Sequence, residues 1–299
     1  GSTNAAVPTQ PNSSERISTL YSPAVVKIYN VHCMDILING QPYIADACQG
    51  GTGSGFFVGN EGYIATNGHV AVSRPIDIAI MYALQQLSDG DSSYFTTLAD
   101  LSNLTEADLA AVTTNEQKLA VIADKFYAIP ESTFTPTNNV SNILVDLGEK
   151  QPDVQELVAT TKAREKYPEQ DTIKQAELKA FDYRALDGAN TGVFKSSDVA
   201  LLKINGSGYP AVKIGNISSL TQGSGLNIMG YPGAASTNQL VDATQSKATL
   251  TSGKVSSIKN ATGSQKQLIE TDATIGHGNS GGPAFSDSGE VVGIATYTV

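Results

Sequence analysis

Apolar residues along the chain fall into two patterns. Short, often β-branched runs bounded by Gly, Asn, Asp and Ser cover Ala24–Tyr29, Gly55–Val58, Tyr63–Ala65, Val199–Ile204, Leu226–Met229 and Val291–Ala295. Each predicts a strand. Many short strands punctuated by glycine predict an all-β barrel or sandwich. Residues 79–190 read differently. Pro75 opens a segment whose Ile76, Ile80, Leu84 and Leu87 have helical spacing. Thr105 with Asp108 marks a helix start, a weak form of the capping box. Leu119, Ile122, Ala123 and Phe126 form a stripe that stops before Pro130. The stretch from Pro152 to about Glu165 predicts a further helix, with Ser141–Leu147 and Ala176–Tyr183 as strands on either side. The expected organisation is a β scaffold spanning 17–299, with a helical insertion over about 79–136 and a second helical segment over about 152–166. Gly1-Ser2 reads as a cloning scar, and residues 3–16, rich in Ser, Thr, Asn, Pro and Gln, read as a linker.

Charge sharpens this division. The 299 residues carry a net charge of −10. Residues 79–190 hold 18 acidic and 9 basic residues, and the rest of the chain is nearly neutral. This acidity disfavours nucleic acid and anionic membranes as partners. The acidic region has two readings: solvated outer faces of helices, or a docking surface for a partner or a basic substrate. No apolar run approaches the roughly 18 residues of a membrane span. A tether upstream of residue 1 stays open. Three scattered histidines and two cysteines provide no clustered metal ligands, so no metal or cofactor is expected.

Three segments carry chemistry: Gly51–Val58 followed by Tyr63–Val70, Ser197–Ile204, and Gly276–Pro283. A serine hydroxyl is a weak nucleophile until a base takes its proton, and that base needs an acceptor to fix its tautomer. His69, Asp198 and Ser280 supply these parts in the order of chymotrypsin-type enzymes. The glycines around Ser280 permit a tight turn that aims the N–H groups of Gly278 and Ser280, with Asn279 between them, at one point. Paired donors of this kind hold an oxyanion.

These motifs resemble the trypsin-like serine proteases, especially the bacterial HtrA/Deg branch. The resemblance lies in Thr66-Asn67-Gly68-His69-Val70, in Asp198–Ile204, and in Thr271-Asp272-Ala273 ahead of Gly278-Asn-Ser-Gly-Gly-Pro283. Gly230-Tyr-Pro-Gly233 is also similar to secreted glutamyl endopeptidases. The resemblance covers about residues 20–75 and 190–299. It implies two six-stranded antiparallel β-barrels with the site between them. His69 is then general base and acid, Asp198 its orienting partner and Ser280 the nucleophile of a serine endopeptidase acting on protein or peptide substrates. Asp272, eight residues before Ser280, is read as structural.

By the same resemblance Thr274 lies at the floor of the specificity pocket, where an Asp would select Lys or Arg. Ile275, with Ala295, Thr296 and Tyr297 as opposite wall, favours a small or medium apolar side chain. His277 has three readings: an exposed loop residue, a contact to an acidic substrate side chain, or a pH-sensitive gate. His32 reads as structural. Cys33 and Cys48, flanking a hairpin around Asn39-Gly40, are expected to form a disulfide, with two free thiols as the alternative. A disulfide suits an extracytoplasmic address: secreted, periplasmic or anchored at the cell surface.

Two departures from the family stand out. The His69–Asp198 interval is far longer than in relatives, and only 19 residues follow Ser280. The second departure reads as truncation or as a strand supplied from elsewhere. An alternative function follows from both: a protease-fold binding or regulatory protein with weak or conditional activity, using the acidic insertion as its working surface. A third option is an oxyanion turn that a ligand must order.

Overall fold

The computed structural model describes residues 13–148, 151–183, 196–232, 247–261 and 266–296. Six strands close into a barrel: β1 (Val25–Ile38), β2 (Gln41–Phe57), β3 (Tyr63–Thr66), β4 (Phe134–Asp146), β5 (Ile173–Asp182) and β6 (Val199–Ile204). Their order is β1-β2-β3-β6-β5-β4, all antiparallel. The β1–β2 hairpin turns at Asn39-Gly40, both at positive φ, which Asn and Gly tolerate at low cost. Alternate residues of β1 point inward, so Val26 and Ile28 meet Ile64, Val145 and Leu202 in the barrel core.

The second half is a six-stranded sheet: β7 (Lys213–Ile214), β8 (Gly225–Gly230), β9 (Thr249–Asn260), β10 (Gln267–Thr271), β11 (Pro283–Ser286) and β12 (Glu290–Ile294). Its order is β10-β9-β8-β11-β12-β7. The expected second closed antiparallel barrel is not what the described residues form. The two-residue β7 pairs in parallel with β12, and no pairing joins β7 to β10 among the described residues.

The chain start also differs from the expected linker. Residues Ser13–Tyr21 form helix α1, so the helix begins inside the segment read as linker. Ile17 and Tyr21, one turn apart, anchor it. Ile17 is fully buried in the cluster holding Phe285, and the Tyr21 ring stacks on Phe285 at 5.0 Å.

Helix α2 (Gly68–Ala71) follows β3. Four helices then precede β4: α3 (Pro75–Ser88), α4 (Ser93–Ser102), α5 (Glu106–Ala110) and α6 (Asn115–Tyr127). Thr105 caps α5 in a reciprocal capping box with Asp108, and Thr114 caps α6 with Gln117. The apolar side of α3 buries Ile76, Ile80 and Ala83 against Met34, Ile36 and Ile44 of the β1–β2 hairpin. The α6 stripe is less complete: Phe126 is buried, whereas Leu119 stays 56% exposed. A last helix, α7 (Val154–Lys162), packs Leu157 against Tyr29 and Val31 of β1. Cys33 and Cys48 face each other across β1 and β2 and form a disulfide.

Candidate active site

His69 sits in the short helix α2, directly after β3. Its ring Nδ1 lies 2.8 Å from Asp198 Oδ2, and its backbone N–H donates to Asp198 Oδ1 at 2.9 Å. The carboxylate thus holds both the ring and the backbone of the histidine. Asp198 is buried, whereas the His69 side chain is 34% exposed and open to solvent on its other side. Asp198 has φ +50°, a left-handed conformation that Asp adopts more readily than most residues. The fully buried Asn67 fixes it by donating from Nδ2 to the Asp198 carbonyl at 2.8 Å. The same amide also donates to Thr296 Oγ1 at 2.8 Å and so ties the barrel to the end of the second sheet. From inside the barrel, Asn30 Nδ2 donates to the Val70 carbonyl.

Gly68 is required by crowding. A Cβ there would run into the Tyr183 side chain, with Asp198 Oδ1 at 3.2 Å. The Tyr183 ring lies 6.3 Å from the His69 ring. Burial, reinforced by nearby Asp77 and Asp198, pushes its hydroxyl up from the ordinary tyrosine range.

Ser280 lies on the turn between β10 and β11. Gly278 and Gly281 have φ +95° and +88°. Ser54 of β2, fully buried, anchors this turn. Its N–H donates to the Ser280 carbonyl at 2.8 Å, and its Oγ donates to the Gly278 carbonyl at 2.7 Å. That Oγ also accepts from Tyr231 N at 2.9 Å, and the Ser54 carbonyl accepts from Thr66 Oγ1 at 2.7 Å. A Cβ on Gly53 would meet both Val70 and the Ser280 carbonyl, which sets the serine turn beside the histidine helix. Among the described residues, no hydrogen bond joins Ser280 Oγ to the His69 ring. Such contacts are often long in unliganded enzymes and tighten on substrate binding.

The other anticipated residues separate. Ile275 and Ala295 share one apolar cluster with Leu220 and Ala273. Thr274 and His277 are exposed, and the Thr274 carbonyl accepts from Thr251 Oγ1. Thr296 is engaged by Asn67, and Tyr297 lies outside the described residues. Asp272 turns to β9, where its Oδ1 accepts from Lys254 N at 2.5 Å. His32 is buried with Nδ1 2.7 Å from Ser141 Oγ, and burial, with Lys166 adding to it, pulls its pKa down to about 4. No cluster of metal-ligating side chains occurs among the described residues, and none of the described helices is long and apolar enough to cross a membrane. Sequence reasoning assigned no role to Ser54, Asn67 or Tyr183. The first two stand inside quoted motifs as buried polar residues, and nothing local marks Tyr183.

The model of the trypsin-like peptidase domain matches residues 144–294, about half of the chain. The chain belongs to this family of trypsin-like peptidases. It is 37% identical over 113 residues to a probable periplasmic serine endoprotease, DegP-like, of Pseudomonas fulva, covering 38% of this chain and 22% of that protein. It is 31% identical over 131 residues to the mitochondrial serine protease HTRA2 of Drosophila persimilis, covering 41% and 28%. The matched stretches thus span about a quarter of these relatives' length. Among solved structures, the HtrA-type protease AlgW with a decapeptide aligns over 95% of this chain and 58% of its own, at 17% identity and a TM-score of 0.47.

Proposed function

We propose that the chain is a serine endopeptidase that hydrolyses peptide bonds of protein substrates through an acyl-enzyme. Ser280 attacks the scissile carbonyl. His69 takes its proton through Nε2 and returns it to the leaving amine. Asp198 keeps the His69 proton on Nδ1 and stabilises the imidazolium. The N–H groups of Gly278 and Ser280 bind the oxyanion, and Ile275 with Ala295 contributes an apolar wall for the substrate side chain. The observation that carries this reading is the two-point grip of Asp198 on His69, at ring and backbone. A carboxylate placed only for stability has no need to fix the tautomer of a half-exposed imidazole. The described second sheet is the remainder of the second barrel, and residues 75–133 are an insertion in one trypsin-like domain. An extracytoplasmic location accords with the cross-strand disulfide and the periplasmic relatives.

Treatment with a fluorophosphonate probe tests the assignment. Wild type labels with one equivalent, and Ser280→Ala and His69→Ala lose labelling. A native wild type that stays unlabelled, or a Ser280→Ala that labels equally, ends this reading.

A further inference from the structure

The helical segment reaches the base of the site through one buried contact chain. Arg74, the residue before α3, has a side chain only 10% exposed. Its Nε and Nη2 donate to the two carboxylate oxygens of Asp77 at 2.9 and 2.7 Å, and its Nη1 donates to Glu131 at the far end of the segment. The guanidinium carbon lies 5.7 Å from the Tyr127 ring, at the end of α6, and 5.5 Å from the Tyr183 ring. Tyr183 in turn packs against Gly68 and faces His69 and Asp198. The first and last elements of the helical segment therefore grip one cation, and that cation holds the ring beside the histidine.

We propose that Arg74 and Tyr183 are positioning residues, through which the helical segment sets the orientation of the His69–Asp198 pair. Guanidinium stacked on an aromatic face and forked to a carboxylate is a rigid arrangement, since both partners constrain its plane. Substituting Gly68 with Ala would push Tyr183 away. Equally, loss of the Tyr183 ring leaves space into which α2 can shift. The charged and titratable groups around the ring are Asp77, Arg74, Asp198 and Tyr127, with His69 on its other side. This inference rests on His69 and Asp198 acting as proposed above.

The test is the second-order rate of fluorophosphonate labelling for wild type, Tyr183→Leu, Tyr183→Phe, Arg74→Met and Arg74→Lys. Tyr183→Leu and Arg74→Met are expected to label roughly 10-fold to 100-fold more slowly. Tyr183→Phe keeps the ring and restores the rate. Arg74→Lys restores the charge but not the fork, and stays slow. Melting curves separate unfolding from displacement: a variant still folded at the assay temperature yet slow supports the inference. Folded Tyr183→Leu and Arg74→Met with wild-type rates overturn it. If either variant is unfolded, Glu131→Gln, which removes only the exposed charge, is expected to label a few-fold more slowly, and a wild-type rate there overturns the inference. A wild type that never labels strikes the protease reading itself, a distinct outcome.

Discussion

The two sides of the site are held by different kinds of interaction. On the barrel side, side chains do the holding. The Asp198 carboxylate takes two hydrogen bonds from His69, and the Asn67 amide fixes the Asp198 backbone. On the second-sheet side, the turn carrying Ser280 is held through its backbone. The Ser280 and Gly278 carbonyls accept from Ser54, Gly281 N–H donates to Ala295 O, and Gly282 N–H donates to Asn279 O. His69, the proposed base, can therefore be altered chemically without moving the chain, whereas the backbone N–H groups proposed to hold the oxyanion shift only when the chain moves.

The largest effect should come from Asp198→Asn. An amide still accepts from the His69 backbone, so the fold survives and the melting temperature falls by only a few degrees. The ring loses its anionic partner and its tautomer. Fluorophosphonate labelling is then expected to slow by roughly 10⁴-fold, the scale known for this change in chymotrypsin-type triads. A loss under tenfold, or a loss explained wholly by unfolding, would contradict the side-chain control argued for this half.

Gly281→Ala probes the other half and should act through structure. Its φ of +88° disfavours any side chain, and a Cβ there would strike the Ser54 carbonyl and Thr66 Oγ1. Stability should fall by about 3 kcal/mol or more, read as a drop in the urea midpoint, with labelling lost in parallel. Gly276→Ala, in the same turn with nothing within 4 Å of its Cβ, is the control and should change neither quantity measurably. Equal behaviour of the two variants would break the claim that backbone fit governs this side.

Ser54→Ala is a milder version of the same test. It leaves the Gly278 carbonyl without its donor and Tyr231 N without its acceptor, in a fully buried place. The cost expected is about 1–3 kcal/mol in stability. Labelling should slow more than that stability loss accounts for, because Ser54 anchors the turn whose N–H groups are proposed to bind the oxyanion. Wild-type labelling of a folded Ser54→Ala would show that the turn keeps its shape without this anchor.

The contrast also explains what was legible in the sequence. His69, Asp198 and Ser280 stand in local motifs, where glycine, small residues and turn chemistry surround each functional side chain. The strand Val199–Ile204 and the cap at Thr105 were equally local, and both appear as expected. Tyr183 and Arg74 were not legible, since their meaning arises from a contact between residues far apart in the chain. The helix at Ser13–Tyr21 was hidden because its polar composition matches a linker, and only Ile17 and Tyr21 contact the core.

The smallest effect concerns buried charge, which the two halves also divide unequally. The barrel buries Lys27, His32, Asp146 and Asp198, whereas the second sheet buries the uncharged Asn227, Asn279 and Ser286. Acid should therefore act on the barrel, yet two of its groups oppose each other. Burial pulls His32 down to about 4. Burial also raises Asp146 to about 6, against the opposing Gly148 N–H and the Lys27 charge. Between about pH 4 and 6 the unfolded chain protonates His32 while the folded chain does not, so this residue lowers stability as pH falls. Over the same range the folded chain protonates Asp146 while the unfolded chain leaves it ionised, so this residue raises stability as pH falls. Asp35 and Asp182, held low by hydrogen bonds, add acid loss mainly below about pH 4. Urea midpoints of the wild type should thus change little from pH 6.5 to 4.5. Asp146→Asn removes the compensating gain and should lose stability steadily across that range. His32→Gln leaves the gain unopposed and should become more stable toward pH 4.5. Parallel pH profiles for all three proteins would show that neither group titrates differently in the folded barrel.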